Sequence, residues 1–311
     1  MNKVICIVGP TGIGKTRLSL MLAKYLKTEI INADAIQVFK EVDILSAKAT
    51  KEEQAEVKHH LLDYLDLDEN LDIASFKLAA TQLIEKLNQQ GKIPIVVGGS
   101  GLYLKSLLYD YNLTKIKGRT GDVSLKYQTF SNQELFAYLN KIDAKAAEKL
   151  HANNRKRVLR AIEIFEDNQV TKSEFIDRQT HQLEFNALII GLIMPRDLLY
   201  ERINERVEIM IKNGLLTEVR NLHEKYHDSN YQVFQAIGYK ELVPYLNEEE
   251  SLANCVVKIK QNSRRYAKKQ LTWFNNQMPV HWLLSEPDNF EKTVISAKKI
   301  VKEFFDDGTT I

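Results

Sequence analysis

Cysteine is nearly absent from this chain: Cys6 and Cys255 are the only two in 311 residues. One falls in an apolar strand pattern and the other in a helical one. Neither a disulfide framework nor a cysteine-based metal site is available, and a reducing, cytoplasmic setting is expected. No apolar run approaches membrane-spanning length, and the segment ahead of the first strand, Met1-Asn2-Lys3, is too short for a signal peptide. The chain is therefore expected to be neither membrane-embedded nor secreted. Net charge is also nearly absent, at +2, so the overall balance names no partner. Internal repeats and low-complexity tracts are missing as well. What is present suits an ordinary folded protein of about two domains, with 44% hydrophobic and 27% charged residues.

The most specific feature is the run Gly9-Pro10-Thr11-Gly12-Ile13-Gly14-Lys15-Thr16, which follows the apolar segment Val4 to Val8. It fits the phosphate-binding pattern GxxxxGK[ST] at every fixed position. Its glycines let backbone N–H groups turn toward phosphate oxygens, Lys15 adds a mobile positive charge, and the Thr16 hydroxyl can ligate Mg²⁺. An amphipathic helix with Leu18, Met21, Leu22 and Tyr25 on one face follows, which would put the anion at a helix N-terminus.

Strand and helix patterns alternate through the first third. Glu29 to Asp34 reads as a second strand, Thr50 to Glu53 as a capping box, Ile73 to Gln90 as a helix stopped by Gly91, and Ile93 to Val97 as a buried strand ending in Gly98-Gly99-Ser100-Gly101. The alternation predicts an α/β fold with a parallel sheet flanked by helices. Ligands of such sheets gather beyond the carboxyl ends of the strands, where the loop 9–16, Asp34 and the segment 98–103 converge.

From about Leu113 the pattern changes. Residues 114–129 are polar and poorly patterned, and 131–175 read as helical throughout, including Asn154-Arg155-Lys156-Arg157-Val158-Leu159-Arg160. Ala187 to Ile193 returns as a buried strand. The boundaries expected are 1–112 with 186–311 for the α/β core and its C-terminal helices, and 113–185 for a helical insertion domain. Helices are then expected over 198–213, with Asp197 as N-cap and Gly214 as stop, over 217–226, and over 251–274.

The last of these sorts its charges. Val256, Ile259, Tyr266, Ala267, Leu271 and Phe274 share a predicted core face, while Lys258, Gln261, Arg265, Lys268, Lys269 and Thr272 form the other. A solvated basic face and a polyanion surface are both open readings of this helix alone. The second basic cluster at Arg155, Lys156, Arg157 and Arg160 favours the polyanion.

Most proteins with such a loop hydrolyse or transfer the γ-phosphate of ATP or GTP, so a nucleoside or small-molecule kinase is one reading. A nucleotide-regulated RNA-binding protein without activity is another. Many nucleotide enzymes add a metal-binding Asp at the end of a neighbouring strand; here Ile93 to Val97 ends in glycines, and Asp34 is the carboxylate that closes an early strand. Its position suits a proton acceptor touching a second substrate, with a turn or helix cap as the plain alternative.

Several further motifs join the loop: Ala33-Asp34-Ala35-Ile36-Gln37-Val38-Phe39 with Asp43-Ile44; His59-His60-Leu61; Gly98 to Tyr103; Glu218-Val219-Arg220; Ile237-Gly238-Tyr239-Lys240; and Tyr266 to Phe274. On these residues the chain resembles the bacterial tRNA dimethylallyltransferases, or tRNA isopentenyltransferases, from Gly9 to Trp282. It departs from the family pattern at Ala35 (commonly Ser), Phe39 (Tyr), Leu45-Ser46 (Gly-Thr), Ser100 (Thr) and Asn275 (a basic residue), and lacks the cysteines of the zinc-finger extension of eukaryotic relatives.

The resemblance implies a P-loop α/β core with a helical insertion that contacts tRNA, and transfer of a dimethylallyl group to N6 of adenosine 37 beside the anticodon. It implies dimethylallyl diphosphate in the loop Gly9 to Thr16, Lys15 and Arg220 neutralising the leaving group, Thr16 holding Mg²⁺, and Asp34 accepting the N6 proton. The tRNA anticodon loop would run along Asp34, Ala35, Ile36, Gln37, Ser100, Gly101, Lys156, Arg157, Arg160, Gly238, Tyr239, Lys240, Arg265, Lys268 and Lys269. By themselves Gly238 and Tyr239 read as a turn and a half-buried ring, Arg220 as a surface ion pair, and His59-His60 as packing. Nothing in the sequence calls for an obligate protein partner, and a monomer is expected.

Overall fold

The computed structural model describes residues 1–69, 71–110, 122–177, 182–226 and 231–305. The expected boundary at 112–113 lies outside these, as do residues 114–121 of the polar tract. The chain divides into two compact units, Met1–Leu108 with Glu184–Ile311, and Tyr109–Leu183.

In the first unit the chain runs β1 (Lys3–Val8), α1 (Lys15–Leu26), β2 (Ile30–Asn32), α2 (Asp43–Ser46), α3 (Lys51–Glu56), β3 (His59–His60), α4 (Ile73–Gln89), β4 (Ile95–Val97) and α5 (Gly101–Leu108). The second unit holds α6 (Asp122–Lys126), α7 (Asn132–Ile142), α8 (Ala144–Ala147), α9 (Arg155–Asn168) and α10 (Lys172–Asp177). The first then resumes with β5 (Asn186–Ile193), α11 (Arg196–Lys212), α12 (Leu215–Tyr226), α13 (Tyr239–Leu246), α14 (Leu252–Gln277), β6 (His281–Leu284) and α15 (Phe290–Phe305).

The six strands form one parallel sheet in the order β3-β2-β4-β1-β5-β6. Its central strand reads Val4-Ile5-Cys6-Ile7-Val8 without a polar break because both faces are covered; all five side chains are fully buried. Ile5, Ile7, Leu188 and Ile190 pack with Leu18 and Leu22 of α1, Leu199 and Ile203 of α11, and Val294 and Val301 of α15. Each such side chain contributes roughly 1.5–3 kcal/mol by leaving water. Phe76 of α4 stacks on Tyr103 of α5 with ring centroids 4.8 Å apart. The parallel α/β expectation holds, and its carboxyl edge collects the loops after β1, β2 and β4.

The second unit has its own core of Leu135, Leu139, Val158, Ala161 and Ile162. The single helical stretch expected over 131–175 is instead broken, because Asp143 ends α7 and caps α8 by accepting from the Ala146 amide at 3.0 Å. Arg155, part of the basic cluster, is absorbed by structure: its guanidinium donates to the carbonyls of Phe130 and Tyr127 at 2.6 and 2.8 Å. Lys156 and Arg157 are exposed on α9, and Arg160 pairs with Glu163 at 3.2 Å. Elsewhere α11 starts at Arg196, so Asp197 lies in its first turn rather than at the cap.

Candidate active site

A cavity of about 870 Å³ opens beyond the carboxyl edge of the sheet in the first unit. Its walls come from the loop after β1 (Thr11 to Thr16), the turn after β2 (Asp34 to Gln37), the end of α2, Gly98 and Gly99, one face of α11 and one face of α14.

The loop turns as its glycines allow. Gly9, Gly12 and Gly14 have φ of 138°, 79° and 104°, a range L-residues rarely enter. Gly9 and Pro10 are buried at its foot. The Lys15 ammonium donates to the Gly9 and Pro10 carbonyls at 2.9 and 2.8 Å, and Ser285 Oγ to the Ile13 carbonyl at 2.9 Å. The second glycine-rich segment needs glycine for a different reason. A Cβ on Gly98 would lie 2.2 Å from the Ala33 carbonyl oxygen, and one on Gly101 2.2 Å from the Trp273 ring.

Asp34 sits just past β2, where Asn32 anchors it. That amide, 3% exposed, donates to the Leu61 carbonyl at 2.9 Å while its oxygen accepts from the Asp34 N–H at 3.2 Å. Asp34 Oδ1 in turn accepts from the Ile36 and Gln37 amides at 2.9 and 3.4 Å. Asp34 therefore does cap a turn, and it also faces the cavity. Gln37 donates to the Ser46 carbonyl at 3.1 Å, and Ser100 Oγ accepts from the Ala35 amide at 3.2 Å. The hydroxyl at position 100 is thus used within the protein, and Ser100 and Gly101 do not line the cavity.

The cations are unevenly placed. Lys15, Arg17, Arg202, Arg206, Lys240, Arg265 and Lys269 line the cavity against two carboxylates, Asp34 and Glu53. Burial lowers Lys15 to about 8; the neighbouring Arg206 charge adds to this and Asp34 opposes it. Burial also lowers Arg206, with Asp34 opposing and Arg202 adding. Arg202 Nε donates to the Gly12 carbonyl at 3.3 Å. Lys15 and Arg206 are both half-buried, and their two desolvated charges share one nearby carboxylate, so the site holds excess positive charge that an anion would compensate.

Arg220 is not among these cations. It is exposed on α12 and does not line the cavity, because that helix buries Leu215, Val219 and Leu222 and the following position turns to solvent. Arg206 of α11, by contrast, lines the cavity near Lys15 and Asp34. The motif's Glu218 is the inward residue, accepting from the Asp43, Ile44 and Leu45 amides at 3.0, 2.8 and 2.7 Å. Gly238 and Tyr239 are buried. Tyr239 stacks on Phe234 at 4.4 Å and bonds His223, so these two serve packing while Lys240 lines the cavity.

On α14 the core face is Cys255, Ile259, Ala267, Gln270 and Phe274. Tyr266, expected there, is instead 40% exposed and lines the cavity with Arg265 and Lys269; Lys268 is exposed outside it. The Tyr266 phenol is pushed up to about 12 by burial and by the Asp34 charge, partly offset by a hydrogen bond from Gln270. His60 bonds Glu29 at 2.7 Å, and no group of three or more His, Cys, Asp or Glu able to hold a metal exists among the described residues. Arg206, Arg202 and Asn32 escaped the sequence reading. The one available signal was their spacing, with the two arginines four apart beside an apolar helical stripe.

Comparison with known proteins decides the family. A family model described as IPP transferase matches residues 37–277. The chain belongs to this family. Among curated members of similar length, a tRNA dimethylallyltransferase from Anoxybacillus flavithermus is 44% identical over 295 residues, 94% of each chain. A solved tRNA delta(2)-isopentenylpyrophosphate transferase from Staphylococcus epidermidis is 41% identical, with 97% of this chain and 99% of that one covered at a TM-score of 0.72. A eukaryotic dimethylallyltransferase acting on tRNA superimposes at a TM-score of 0.86 and 30% identity, over 100% of this chain and 81% of that one. No helix among the described residues is long and apolar enough to cross a membrane.

Proposed function

We propose that this chain, as an IPP transferase, moves the dimethylallyl group of dimethylallyl diphosphate to N6 of adenosine 37 beside the tRNA anticodon. The observation that carries this reading is the meeting of Lys15, Arg206 and Asp34 in one cavity, two half-buried, desolvated cations with one carboxylate. Neither a γ-phosphate kinase nor a non-catalytic RNA-binding protein is favoured by membership of this family.

The diphosphate is held by the loop Thr11 to Thr16, and the charges of Lys15 and Arg206, which line the same cavity, oppose the charge that grows on its oxygens as the allylic C–O bond breaks. Their effect is larger in the transition state than in the ground state, and burial strengthens it. The N6 lone pair is delocalised into the adenine ring, so N6 is a weak nucleophile. As its bond to the allylic carbon forms, its proton passes to Asp34 and diphosphate leaves. With Oδ1 engaged by the Ile36 and Gln37 amides, Oδ2 is the oxygen left to take that proton. The donor set suits Mg²⁺, which takes one or two protein oxygens and draws its other ligands from substrate phosphates and water; Thr16 lines the cavity where its hydroxyl would hold the ion. When bound, the ion adds charge stabilisation to the leaving diphosphate.

Adenosine 37 must leave its stack to reach Asp34. Arg265 and Lys269 on α14, Lys240 on α13, and Lys156, Arg157 and Arg160 of the second unit are assigned to phosphates of the anticodon arm. The chain acts as a monomer in the cytoplasm. Asp34→Asn is the direct test: both substrates should still bind while the single-turnover rate falls by ~10²–10⁴. A wild-type rate in that variant would remove the proton-acceptor role.

A further inference from the structure

Gln270 is 6% exposed, and its amide is engaged at both ends. Its Oε1 accepts from the Thr11 N–H at 2.9 Å, and its Nε2 donates to the Gly99 carbonyl at 3.0 Å. One side chain thereby fastens α14 to the diphosphate loop and to the loop after β4. The approach is close enough that a Cβ on Gly99 would lie 2.2 Å from Gln270 Nε2. On the same helix, Arg265, Tyr266 and Lys269 line the cavity within five residues of it.

We propose that Gln270 is a positioning residue that links RNA binding on α14 to the loop that holds the diphosphate, so that each substrate changes the affinity of the other. The inference rests on the proposed function, which places RNA on α14. The Thr11 N–H is taken up by Gln270 Oε1, so the backbone at the start of the loop is held in place by a side chain from the helix assigned to RNA. RNA that fixes α14 fixes that loop through Gln270, and the ordering cost is then not charged again when the anion arrives. The coupling is reciprocal: diphosphate strengthens RNA binding by the same factor.

The test is an equilibrium titration of inorganic diphosphate with the full chain, with and without a saturating anticodon stem-loop RNA. In the wild type the RNA should tighten diphosphate binding about five-fold or more. Gln270→Met keeps length and burial but cannot form the bonds; the ratio should fall to about one while RNA affinity in the absence of diphosphate stays within about two-fold. Gln270→Glu can accept from Thr11 but cannot donate to Gly99, and should give an intermediate ratio. A wild-type ratio of one, a Gln270→Met ratio equal to the wild type, or loss of RNA binding in Gln270→Met would each overturn the inference. If Gln270→Met does not fold, Gln270→Glu decides: a reduced ratio supports the link and an unchanged one sinks it. Prenyl transfer by the wild type, measured on the same RNA, keeps the two readings apart. Product without coupling rejects only the role of Gln270, whereas no product rejects the proposed function.

Discussion

Helices α11 and α12 follow one another in the chain and both carry arginine beside a buried apolar stripe, but they deliver it to opposite places. On α11 the stripe is Leu199, Ile203 and Val207, and Arg202 and Arg206 stand one residue ahead of its last two members, on the cavity side. On α12 the stripe is Leu215, Val219 and Leu222. There Glu218 stands one residue ahead of Val219 and turns inward to three amides, while Arg220 stands one behind and turns out. With about 100° of helical rotation per residue, a shift of one or two positions separates a charge that faces the cavity from one that faces solvent. A motif therefore locates a segment, and packing decides which of its residues faces the cavity.

The strongest way to break this comparison is to remove the inward arginine. Arg206→Ala should lower kcat by about 10²–10³ and also raise KM for dimethylallyl diphosphate, since the guanidinium opposes charge that grows as diphosphate departs. Arg206→Lys should recover part of the loss, because it restores charge without the planar fork. Single-turnover rates with saturating RNA are the measurement, and a change confined to KM would reduce Arg206 to ground-state binding.

The inward residue of α12 should matter for stability. Glu218→Ala leaves the amides of Asp43, Ile44 and Leu45 without their acceptor and should cost about 2–4 kcal/mol in urea unfolding, given roughly 1.5–3 kcal/mol for a hydrogen bond to a charged group and incomplete additivity. Because Leu45, Ser46 and Ala47 line the cavity, KM should rise with it. A loss below about 0.5 kcal/mol would mean that α2 is held by its other contacts.

The same contrast explains what was legible in the sequence. Local chemistry could be read: the run Gly9 to Thr16, the Thr50–Glu53 capping box with both of its bonds, and Gly214 stopping α11 at φ 101° depend on residues a few positions apart. The strand β6 and helix α15 could not, because His281 to Leu284 is a short, partly exposed stretch that becomes a strand by pairing with β5 across a long separation. Asn32 sits inside an apolar strand pattern, and Gln270 sits in a helix face read for its hydrophobic neighbours. Both become functional candidates only when distant segments bury them against backbone amides. Arg206 is the same case, an arginine whose meaning comes from desolvation beside Lys15.

A pH titration sharpens the comparison further. Lys15 is held near 8 by burial and by Arg206, so its ammonium is present below that pH and lost above it. Diphosphate affinity should fall as pH rises through about 8, by up to tenfold per unit. Fold stability should move the other way. Between about 8 and the ordinary lysine value the unfolded chain binds more protons at this position, so this group's contribution rises with pH. Arg206→Ala removes the like charge and should shift the binding break point upward, whereas Arg220→Ala should leave it in place. A break point unmoved by Arg206→Ala would assign the depression of Lys15 to burial alone.

The smallest effect expected is that of Arg220→Ala itself. Its side chain is exposed, lies outside the cavity lining, and follows a buried valine on a helix whose inward bonds are made by Glu218. Substitutions at such surface positions stay within about 0.5 kcal/mol, so stability, kcat and KM for dimethylallyl diphosphate should all lie within about two-fold of the wild type. The measurement is most informative beside Arg206→Ala in one steady-state series. Equal losses in both variants would mean that the two helices share the leaving-group contact, and that α12 turns toward the cavity when substrate is bound. A loss in Arg220→Ala confined to RNA affinity, with a log–log salt slope reduced by about one, would place this outward arginine on a phosphate of the RNA instead.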